Sequence, residues 1–339
     1  MKFKVLSVIL IFAVLLSACS LLPSKTDFEL AGGEAAFHFI DVGQGDCTLI
    51  QTEDAAILID TGTTEKSYDV VTYIKNLGIK KIDCLIISHP HEDHIGGAAD
   101  VLSNFAVGTV YVNNNISDSY AYEKFIDKAT ELDISLKLPD MDCVYEYGNL
   151  RIKFLSPKKD YEDENHNSNV TQVSYGDTKF LFTGDAETPV ESDLLNEYDL
   201  KADVLKVGHH GSRYASHYEF LASVLPSVCV ISCGKDNSYG HPHEETVDRI
   251  EKIGSTILRT DEVGTICIKT DGKKIYTDEG KTYDSPTEQV ALTYIGNKRS
   301  KVFHTEMCSG LPQEQNRVFF KNKDEALDAG FRACKSCNP

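Results

Sequence analysis

The sequence has little positive charge for its length of 339 residues. Its 34 lysines and arginines are outnumbered by 52 aspartates and glutamates, which gives a net charge of −18 at pH 7. This deficit argues against an extended basic groove, and hence against salt-driven, nonspecific binding of nucleic acid over the whole surface. It does not exclude a nucleic-acid substrate, because the local field at a single site can outweigh the net charge.

Long apolar runs are also missing, and nothing in the chain resembles a membrane channel. The stretch from Val5 to Leu16, which follows two lysines, is too short to span a bilayer comfortably but suits a signal-peptide core. It leads into LSAC, which matches a bacterial lipobox, in which Cys19 becomes the lipidated first residue. We therefore expect a lipoprotein signal peptide at 1–19, a flexible tether at 20–35 and a lipid anchor on the extracellular face of the bacterial membrane. An uncleaved membrane anchor would give the same topology.

The ten cysteines do not lead us to predict disulfides. One belongs to the lipobox, and three belong to a metal-binding pattern near the carboxyl terminus. Several of the others stand in apolar, strand-like runs, where a small buried hydrophobic side chain is the more common role. These others are Cys47, Cys84, Cys143, Cys229, Cys233 and Cys267.

The most informative segment is SHPHEDHIGG at 88–97. It follows an apolar run that is typical of a buried strand, so we place it on a loop at the strand's carboxyl end, where catalytic groups are common. His89 and His91 can turn toward one metal ion, and Asp93 and His94 can reach a second ion nearby. Imidazole and carboxylate ligands suit zinc, and also manganese or iron. We predict a site for two divalent ions, zinc or manganese, in which Asp93 can also orient or deprotonate a water.

The pattern His-x-His-x-Asp-His followed by Gly-Gly resembles the metallo-β-lactamase superfamily. The resemblance implies an α/β fold, a four-layer αββα sandwich, with the metals at one edge of the sheets and a hydrolytic activity. In IDTG, Asp60 would orient a ligand histidine, although a polar turn at a strand end is the alternative. In FLFTGDAE, Asp185 would be the ligand shared by both ions. In DVLKVGHHGS, His209 would be the last ligand, with His210 beside it as support or as the alternative ligand.

The third histidine that many superfamily members place before the bridging aspartate has no simple counterpart here. In ENHNSNVTQV, His166 is a candidate metal ligand. Its neighbours Asn165 and Asn167 instead resemble an asparagine-rich version of this loop that occurs in one subfamily. Both interpretations stay open at this stage.

Further motifs occur in the order expected for the extracellular hydrolase domain of ComEC proteins, which are DNA-uptake channels. HFIDVGQGDCTLI, SVCVISCGKDNSYGHPHEETVDRI and LRTDEVGTI carry this resemblance. It covers Phe37 to about Tyr276, so we predict a hydrolase domain at 36–277. The resemblance implies that His241 and His243 lie beside the metals and hold a phosphate oxygen or protonate a leaving group. For His241, a structural hydrogen bond is the alternative.

The net charge of the carboxyl-terminal segment is opposite in sign to that of the rest of the chain. From Ala291 to Pro339 there are eight lysines and arginines against five aspartates and glutamates, a net charge of +3. We predict a linker at 278–293 and a zinc-binding domain at 294–339. The spacing of four residues predicts one structural, tetrahedral Cys3His zinc site, whose metal supplies folding energy to a unit too small to bury its own core. These ligands are His304, Cys308, Cys334 and Cys337.

The segment NRVFFKNKDEALDAGFRACKSCNP resembles the zinc module of the alkylation-repair protein Ada. In that module, the first of four cysteine ligands accepts a methyl group from a DNA phosphotriester. His304 holds that position here, and a histidine cannot act as a thiolate nucleophile, so methyl transfer is not expected. The resemblance is compatible with two roles for this unit, binding of the DNA backbone or a purely structural role. The candidate phosphate contacts are Arg299, Lys301, Arg317, Lys321 and Arg332.

Apolar runs and amphipathic periodicity predict strands mixed with covering helices, as in an α/β sandwich. The predicted strands are 36–40, 47–52, 55–60, 83–88, 151–155, 170–175, 179–183, 203–207, 228–232 and 265–269, and the predicted helices are 67–77, 119–132, 188–196, 217–224 and 243–253.

These features together predict a lipid-anchored, metal-dependent hydrolase that cuts phosphodiester bonds outside the cell, with DNA as the favoured substrate and the DNA-uptake machinery as a candidate partner. One alternative substrate is a small phosphoester or lactone, such as a choline phosphate on the cell wall. Another alternative is a noncatalytic lipoprotein that captures DNA. The intact set of metal ligands favours catalysis over capture.

Overall fold

The computed structural model describes residues 28, 30–141, 143–156, 159–277, 280–283, 293–305, 308, 310–335, 337 and 339. The predicted signal peptide with Cys19, most of the tether and most of the linker lie outside these residues. Within the described part, no helix has the length and apolar character needed to cross a membrane.

Two large β-sheets and a small one contain the described strands. The chain begins the first sheet with β1 (Ala35–Phe39), β2 (Thr48–Thr52), β3 (Ala56–Ile59), β4 (Lys81–Ile86), β5 (Ala106–Tyr111) and β6 (Leu136–Lys137). It then builds the second sheet from β7 (Val144–Tyr147), β8 (Leu150–Phe154), β9 (Thr171–Tyr175), β10 (Thr178–Phe182), β11 (Val204–Lys206), β12 (Val228–Ile231) and β13 (Thr256–Arg259). It returns to the first sheet with β14 (Ile266–Thr270), β15 (Ile275–Thr277) and β16 (Thr282–Tyr283). The small third sheet contains β17 (Tyr294–Asn297), β18 (Val302–Thr305), β19 (Arg317–Phe320) and β20 (Arg332–Ala333).

The described α-helices follow the strands in alternation. They are α1 (Ser67–Asn76), α2 (Glu92–Ile95), α3 (Ala98–Asn104), α4 (Tyr120–Glu131), α5 (Thr188–Glu197), α6 (Tyr218–Val224), α7 (Glu244–Lys252), α8 (Thr260–Val263) and α9 (Lys323–Asp328). Short 3-10 helices lie at Thr64–Lys66, Asn165–Asn167, Gly208–Gly211 and Glu314–Asn316.

The strand order places four parallel strands at one end of each large sheet. The first sheet has the order β16-β15-β14-β1-β2-β3-β4-β5-β6, and the second has the order β13-β12-β11-β10-β9-β8-β7. Strands β3 to β6 run parallel, as do β10 to β13. Carboxyl ends of parallel strands meet at one edge of a sheet, and ligands bind at such edges in α/β folds.

The two large sheets pack face to face over an apolar core. Phe37 of β1 and Phe180 of β10 stack across it, with ring centroids 3.5 Å apart. Helices α1, α3 and α4 cover the outer face of the first sheet, where Phe125 is fully buried, and helices α5 to α7 cover the second, where Phe220 is fully buried. Burial of one such ring contributes about 2 kcal/mol. The predicted four-layer αββα sandwich is confirmed.

All ten predicted strands and all five predicted helices occur, with ends that differ by at most two residues. Strands β5 to β7, β13 and β15 to β20 and helices α2, α3, α8 and α9 were not predicted, because their short or broken apolar patterns do not separate a strand or helix from a loop. The linker prediction is wrong for Thr282–Tyr283, which pairs with β15 as the last strand of the first sheet. Gly280 N donates to Thr277 O (2.9 Å) in the turn between them, so backbone pairing extends the sheet where the composition indicated a linker.

Candidate metal centre

The predicted site residues of the larger domain and the loop that opens its pattern lie after β1, β3, β4, β8, β10, β11 and β12. These strands point the same way within each sheet, so the loops meet at one edge of the sandwich. The loop after β1 packs against the histidine-rich loop, where Asp46 N donates to Asp93 O (3.0 Å). A Cβ on Gly45 would lie 2.4 Å from the same carbonyl oxygen, so only glycine permits this approach. The loops enclose a cavity of about 240 Å³ lined by Gln44, His91, Asp93, Asn165, Asp185, His209, His210, Tyr239 and His241.

The most complete ligand set combines Asp93, His94, Asp185 and His210, each of which has a ligand atom within 4.8 Å of the others. His94 Nε2 lies 3.2 Å from Asp185 Oδ1, and His210 Nε2 lies 3.2 Å from Asp93 Oδ2. His94 Nε2 and Asp185 Oδ1 are buried without a hydrogen-bond partner among the described residues. Buried polar atoms are normally paired, so these two atoms fit a bound cation. Imidazole nitrogen and carboxylate oxygen are the ligand types that zinc and manganese accept.

The two other histidines of the loop are candidate ligands for a second ion, but they do not join Asp185 in a group whose ligand atoms all lie within 4.8 Å of one another. His89 Nε2 lies 3.8 Å from Asp185 Oδ2, is buried, and has no hydrogen-bond partner within the described chain. The rings of His89 and His91 lie 4.6 Å apart, and His91 Nε2 is 3.3 Å from Glu164 Oε2. The rings of His89 and His91 are thus neighbours, and their role as ligands of one ion stays a prediction. Asp185 Oδ1 faces His94 and its Oδ2 faces His89, as a bridging ligand requires.

In this cluster Asp185 and His89 have their lone pairs free for a metal. Burial works to raise the pKa of Asp185, but the charges of His94 and His210 outweigh it and hold the pKa well below its usual range. Burial lowers the pKa of His89 well below its usual value, so that ring is neutral. A carboxylate and a neutral imidazole are the protonation states that bind a metal. Burial works to lower the pKa of His94 and His210, but Asp185 and the other nearby carboxylates outweigh it and raise both, so a metal would displace a proton from each of these two rings.

Asp60 positions His94, as the family resemblance implied. Its Oδ2 accepts a hydrogen bond from His94 Nδ1 (2.9 Å), which leaves Nε2 of the same ring directed at the ligand cluster. Ser88 donates to both carboxylate oxygens of Asp60, through its backbone N and its hydroxyl (2.7 Å each). Carboxylate partners of this kind fix the tautomer and orientation of a metal-binding histidine.

His210 Nδ1 has Ser232 O as its hydrogen-bond partner (3.0 Å) and Asp46 as a charged neighbour, and the sequence interpretation missed both. Asp46 Oδ1 lies 3.2 Å from His210 Nδ1, and Asp46 Oδ2 lies 2.7 Å from the buried Lys206 Nζ. Burial works to raise the pKa of Asp46, but the charges of Lys206 and His210 hold it at about 2. The sequence contains both partners in its motifs, Asp46 in DVGQGD and Lys206 in KVGHHGS, but nothing local indicates that they meet.

Of the two adjacent histidines, the placement favours His210, which the sequence left open as the alternative ligand, although Nε2 of either ring lies 3.6 Å from Asp185 Oδ2. His210, and not His209, belongs to the four-residue ligand cluster. His209 Nδ1 is 2.9 Å from Glu187 Oε1, while its Nε2 lies 3.6 Å from Asp185 Oδ2, at the edge of the site. Both histidines have left-handed backbone angles, with φ of 47° and 53°, and this turn directs the second ring inward. Such strained backbone is common at functional sites. We therefore assign His210 as the ligand and His209 as its neighbour.

The structure separates His166 from the metal cavity. His166 Nε2 lies 3.3 Å from Glu187 Oε2, and its ring lines a neighbouring cavity. Asn165 lines the metal cavity instead, and its Oδ1 is a buried atom with no hydrogen-bond partner among the described residues. Of the two interpretations left open by the sequence, the placement favours the asparagine-rich one. Asn165 joins His89 and His91 among the candidate ligands of the second ion.

His241 and His243 are both near the site, but only His241 lines its cavity. His241 Nδ1 is 3.5 Å from Gln44 Nε2, and its ring lies 5.6 Å from that of His209. Burial, together with neighbouring histidines, lowers the pKa of His241 to about 4, so its ring is neutral at pH 7. His243 Nδ1 accepts a hydrogen bond from Arg213 N (3.1 Å), which ties it to the loop after His210. The arrangement suits His241 to substrate contact and His243 to support.

The four predicted zinc ligands of the carboxyl-terminal domain also meet. His304, Cys308, Cys334 and Cys337 have ligand atoms within 4.8 Å of one another, and all four side chains are largely buried. Hydrogen bonding with Cys337 and His304 lowers the pKa of the Cys308 thiol to about 5, which favours the thiolate that zinc binds. The described cysteines form no disulfide. The site has no carboxylate, so its ligand chemistry matches a structural zinc.

The small domain also has its own apolar core, made by Tyr294, Phe303, Phe320 and Phe331. Of the five candidate phosphate contacts, Arg317 is the one that is partly buried, with Nε donating to Pro312 O (2.8 Å). The other four are exposed, and Lys301 Nζ lies 4.4 Å from the centre of the Phe331 ring. A cavity of about 220 Å³ is lined by residues of both domains, with Arg213 on the hydrolase side and Thr305 on the side of the small domain.

Comparison with known proteins places both domains in families. Residues 40–235 match the Metallo-beta-lactamase superfamily, and residues 287–339 match the Metal binding domain of Ada. ComE operon protein 3 of Bacillus subtilis (strain 168) is 32% identical, over 70% of this chain and 33% of that protein. Competence protein ComA of Neisseria gonorrhoeae is 31% identical, over 69% of this chain and 32% of that protein.

The chain thus spans about a third of the length of the curated relatives it matches. Among solved structures, the metallo-beta-lactamase fold protein YhfI from Bacillus subtilis is 13% identical with a TM-score of 0.48, and the match covers 70% of this chain and 100% of that one. The family match, the αββα sandwich and the clustered ligands agree. The chain belongs to the metallo-β-lactamase superfamily and is a metal-dependent hydrolase homologous to ComEC-like competence proteins, with an Ada-type zinc-binding domain at its carboxyl end.

Proposed function

We propose that this hydrolase cuts phosphodiester bonds in nucleic acid, DNA first among them, and that it does so outside the cell from a lipid anchor at Cys19. Two kinds of observation support the proposal. The first is the ligand arrangement around Asp185, and the second is the similarity to proteins named for competence, the uptake of DNA.

The observation that carries the proposal is the position of Asp185 between buried ligand atoms of two histidines. Its Oδ1 faces His94 Nε2 at 3.2 Å, and its Oδ2 faces His89 Nε2 at 3.8 Å. Two divalent ions, when bound, lower the pKa of a water and neutralise the charge of phosphoryl oxygens. A cavity of about 240 Å³ is large enough for one phosphodiester group, and its position at the sheet edge leaves room for the strand to continue on both sides.

The protein's own residues orient the reacting groups. Asp60 and the carbonyl of Ser232 fix the rings of His94 and His210, so the inner ligands need little rearrangement before substrate binds. Asp93 lines the cavity, and the charges of His94 and His210 outweigh the effect of burial and lower the pKa of Asp93, so it stays a carboxylate that can orient an attacking water.

The cavity also contains neutral polar groups that suit a phosphate. The amide of Gln44 and the neutral ring of His241 lie 3.5 Å apart at the cavity wall, where they can hold a non-bridging phosphate oxygen. Neither group carries a negative charge that would repel the substrate.

The proposal has a direct test of substrate class. Purified protein from residue 20 onward is incubated with labelled DNA and with a choline phosphodiester, in manganese or zinc and in chelator. We expect DNA to be hydrolysed with metal and not with chelator, and Asp185→Asn to lose this activity. Asp271→Asn, in a surface turn, is the matched control and keeps it. Hydrolysis of the choline ester alone would replace nucleic acid with a small substrate, and no hydrolysis of either would contradict the proposal.

A further inference from the structure

We propose that the ring of Tyr239 is a stacking platform for a nucleobase beside the cleaved phosphodiester, so that the enzyme prefers single strands whose bases are accessible. This inference rests on the proposed function and adds the part of the substrate that the metals do not recognise. It concerns a residue outside the ligand clusters and outside the groups that orient them.

Tyr239 lies at the wall of the metal cavity and is nevertheless 66% exposed. Its ring lies nearly parallel to that of His241, with centroids 5.7 Å apart and an interplanar angle of 23°. His243 packs edge-on against His241, with ring centroids 4.9 Å apart and an interplanar angle of 70°. A base placed on Tyr239 would therefore extend the stacked pair of Tyr239 and His241 at the wall of the metal cavity. Aromatic side chains placed along a strand path stack with bases in proteins that bind single-stranded nucleic acid.

The loop that carries Tyr239 is fixed by its own hydrogen bonds. Asn237 Oδ1 accepts from the backbone N of Tyr239 (3.2 Å) and from that of His241 (3.0 Å), and Asn237 Nδ2 donates to Gly234 O (2.9 Å). Gly234 N donates to Gln44 Oε1 (3.1 Å), which joins the loop to the opposite cavity wall. A Cβ on Gly234 would meet Gln44 N at 2.8 Å, so the contact needs glycine. Since the ring is presented by an ordered turn, little conformational entropy is lost when a base stacks on it.

The charges around the cavity offer little attraction for phosphate, so stacking is the source of affinity for the substrate that remains. The residues that line the cavity include no lysine or arginine. The nearby Lys206 is paired with Asp46 (2.7 Å), and Arg213 is paired with Glu245 (2.9 Å). With a net charge of −18, the chain cannot depend on broad attraction of phosphates. A neutral aromatic surface next to the metals can bind a base without such attraction, and every base offers a suitable face.

The preference for single strands follows from the geometry of the stack. In a duplex, both faces of each internal base are already covered by its neighbours, so Tyr239 has no face to bind. An unpaired strand can turn one base onto the ring while its phosphate enters the cavity.

The test compares three substrates of equal length: a single-stranded oligonucleotide, the same strand with abasic spacers in place of bases, and a blunt duplex. The proteins are the wild type, Tyr239→Ala, Tyr239→Phe and the control Tyr120→Ala, whose exposed ring (74%) lies at the start of α4. We expect Tyr239→Ala to lower kcat/KM on the base-bearing single strand about tenfold or more, and Tyr239→Phe and the control to stay within about twofold of the wild type. On the abasic strand, the wild type should fall to the level of Tyr239→Ala, and the variant should show no further loss.

Four other outcomes would contradict this inference or the proposed function. Equal kcat/KM for the wild type and Tyr239→Ala on the base-bearing strand overturns this inference alone. An equal loss on base-bearing and abasic strands also overturns it, since the ring would then act through the loop and not through a base. A wild-type enzyme that favours the duplex contradicts the strand preference. If the wild type cleaves no strand with metal present, the proposed function fails and this inference fails with it.

Discussion

The buried pair of Lys206 and Asp46 allows stability and metal binding to be separated by mutation. The two side chains are 2% and 6% exposed, and their charged atoms lie 2.7 Å apart. Lys206→Met keeps most of the apolar volume but leaves Asp46 as a buried, uncompensated charge. Removal of one partner of a buried pair costs about 3–5 kcal/mol, whereas replacing both partners by neutral groups costs much less. We therefore expect Lys206→Met to be destabilised by that amount and Lys206→Met/Asp46→Asn to recover most of the loss.

The pH dependence of this effect has a definite sign. The pKa of Asp46 is about 2, below its ordinary value of 3.8, so the carboxylate stabilises the wild-type fold by about 2 kcal/mol above pH 4. This contribution is lost as pH falls through 2. In Lys206→Met, burial is opposed less strongly, so the pKa of Asp46 should rise. The stability difference between variant and wild type should then be largest near neutral pH and should shrink as Asp46 takes up a proton.

The measurement is urea unfolding of the metal-free proteins, followed by circular dichroism because the chain has no tryptophan. Lys81→Met, which removes a largely exposed ion pair with Asp83, is the control and should change the free energy of unfolding by less than about 1 kcal/mol. The double variant should regain stability yet bind metal about tenfold more weakly, because His210 loses the neighbouring carboxylate charge and keeps only its hydrogen bond with Ser232 O. A double variant as unstable as Lys206→Met would contradict the role of the buried charge pair in stability. Unchanged metal affinity would contradict the effect of Asp46 on His210.

Three further predictions follow from the ligand assignments. His210→Ala should remove metal from the Asp93–His94–Asp185 set and abolish hydrolysis, whereas His209→Ala should keep the metal content, as measured by elemental analysis; the opposite pattern would restore the original assignment. Cys334→Ser should release zinc and unfold the carboxyl-terminal domain. Hydrolysis of a small phosphodiester should be retained, because that domain supplies no ligand to the larger site. Loss of this activity would show that the domains depend on each other. Cys19→Ala should abolish labelling by a fatty-acid analogue and release the protein from the membrane, and continued labelling would place the lipid elsewhere.

Local motifs predicted the parts of the site that lie close together in sequence. His89, His91, Asp93 and His94 are within six positions of one another, and the strand before them fixes the direction of the loop. Likewise, the Cys3His spacing was sufficient to predict four ligands that the structure brings together.

Features set by backbone angles or by distant contacts could not be predicted in the same way. The choice between His209 and His210 depends on two consecutive left-handed residues, which place the second ring inward. The contact of Asp46 with His210 joins two loops from different sheets. The place of Asn165 depends on where a short 3-10 helix turns, which composition does not specify. Edge strands such as β6 and β13 depend on the neighbours they pair with more than on their own sequence pattern.

The most direct test of the central claim is a metal titration of single-stranded DNA hydrolysis by protein that has been stripped of the metals in its larger site. We expect no turnover in the stripped protein. The rate of hydrolysis should then rise with added manganese or zinc and reach its maximum at two equivalents per chain, beyond the zinc of the small domain. We also expect Asp185→Asn to bind fewer equivalents and to show no turnover at any metal concentration. Turnover that persists in the stripped protein, or that survives in Asp185→Asn, would contradict the assignment of this cluster as the hydrolytic centre.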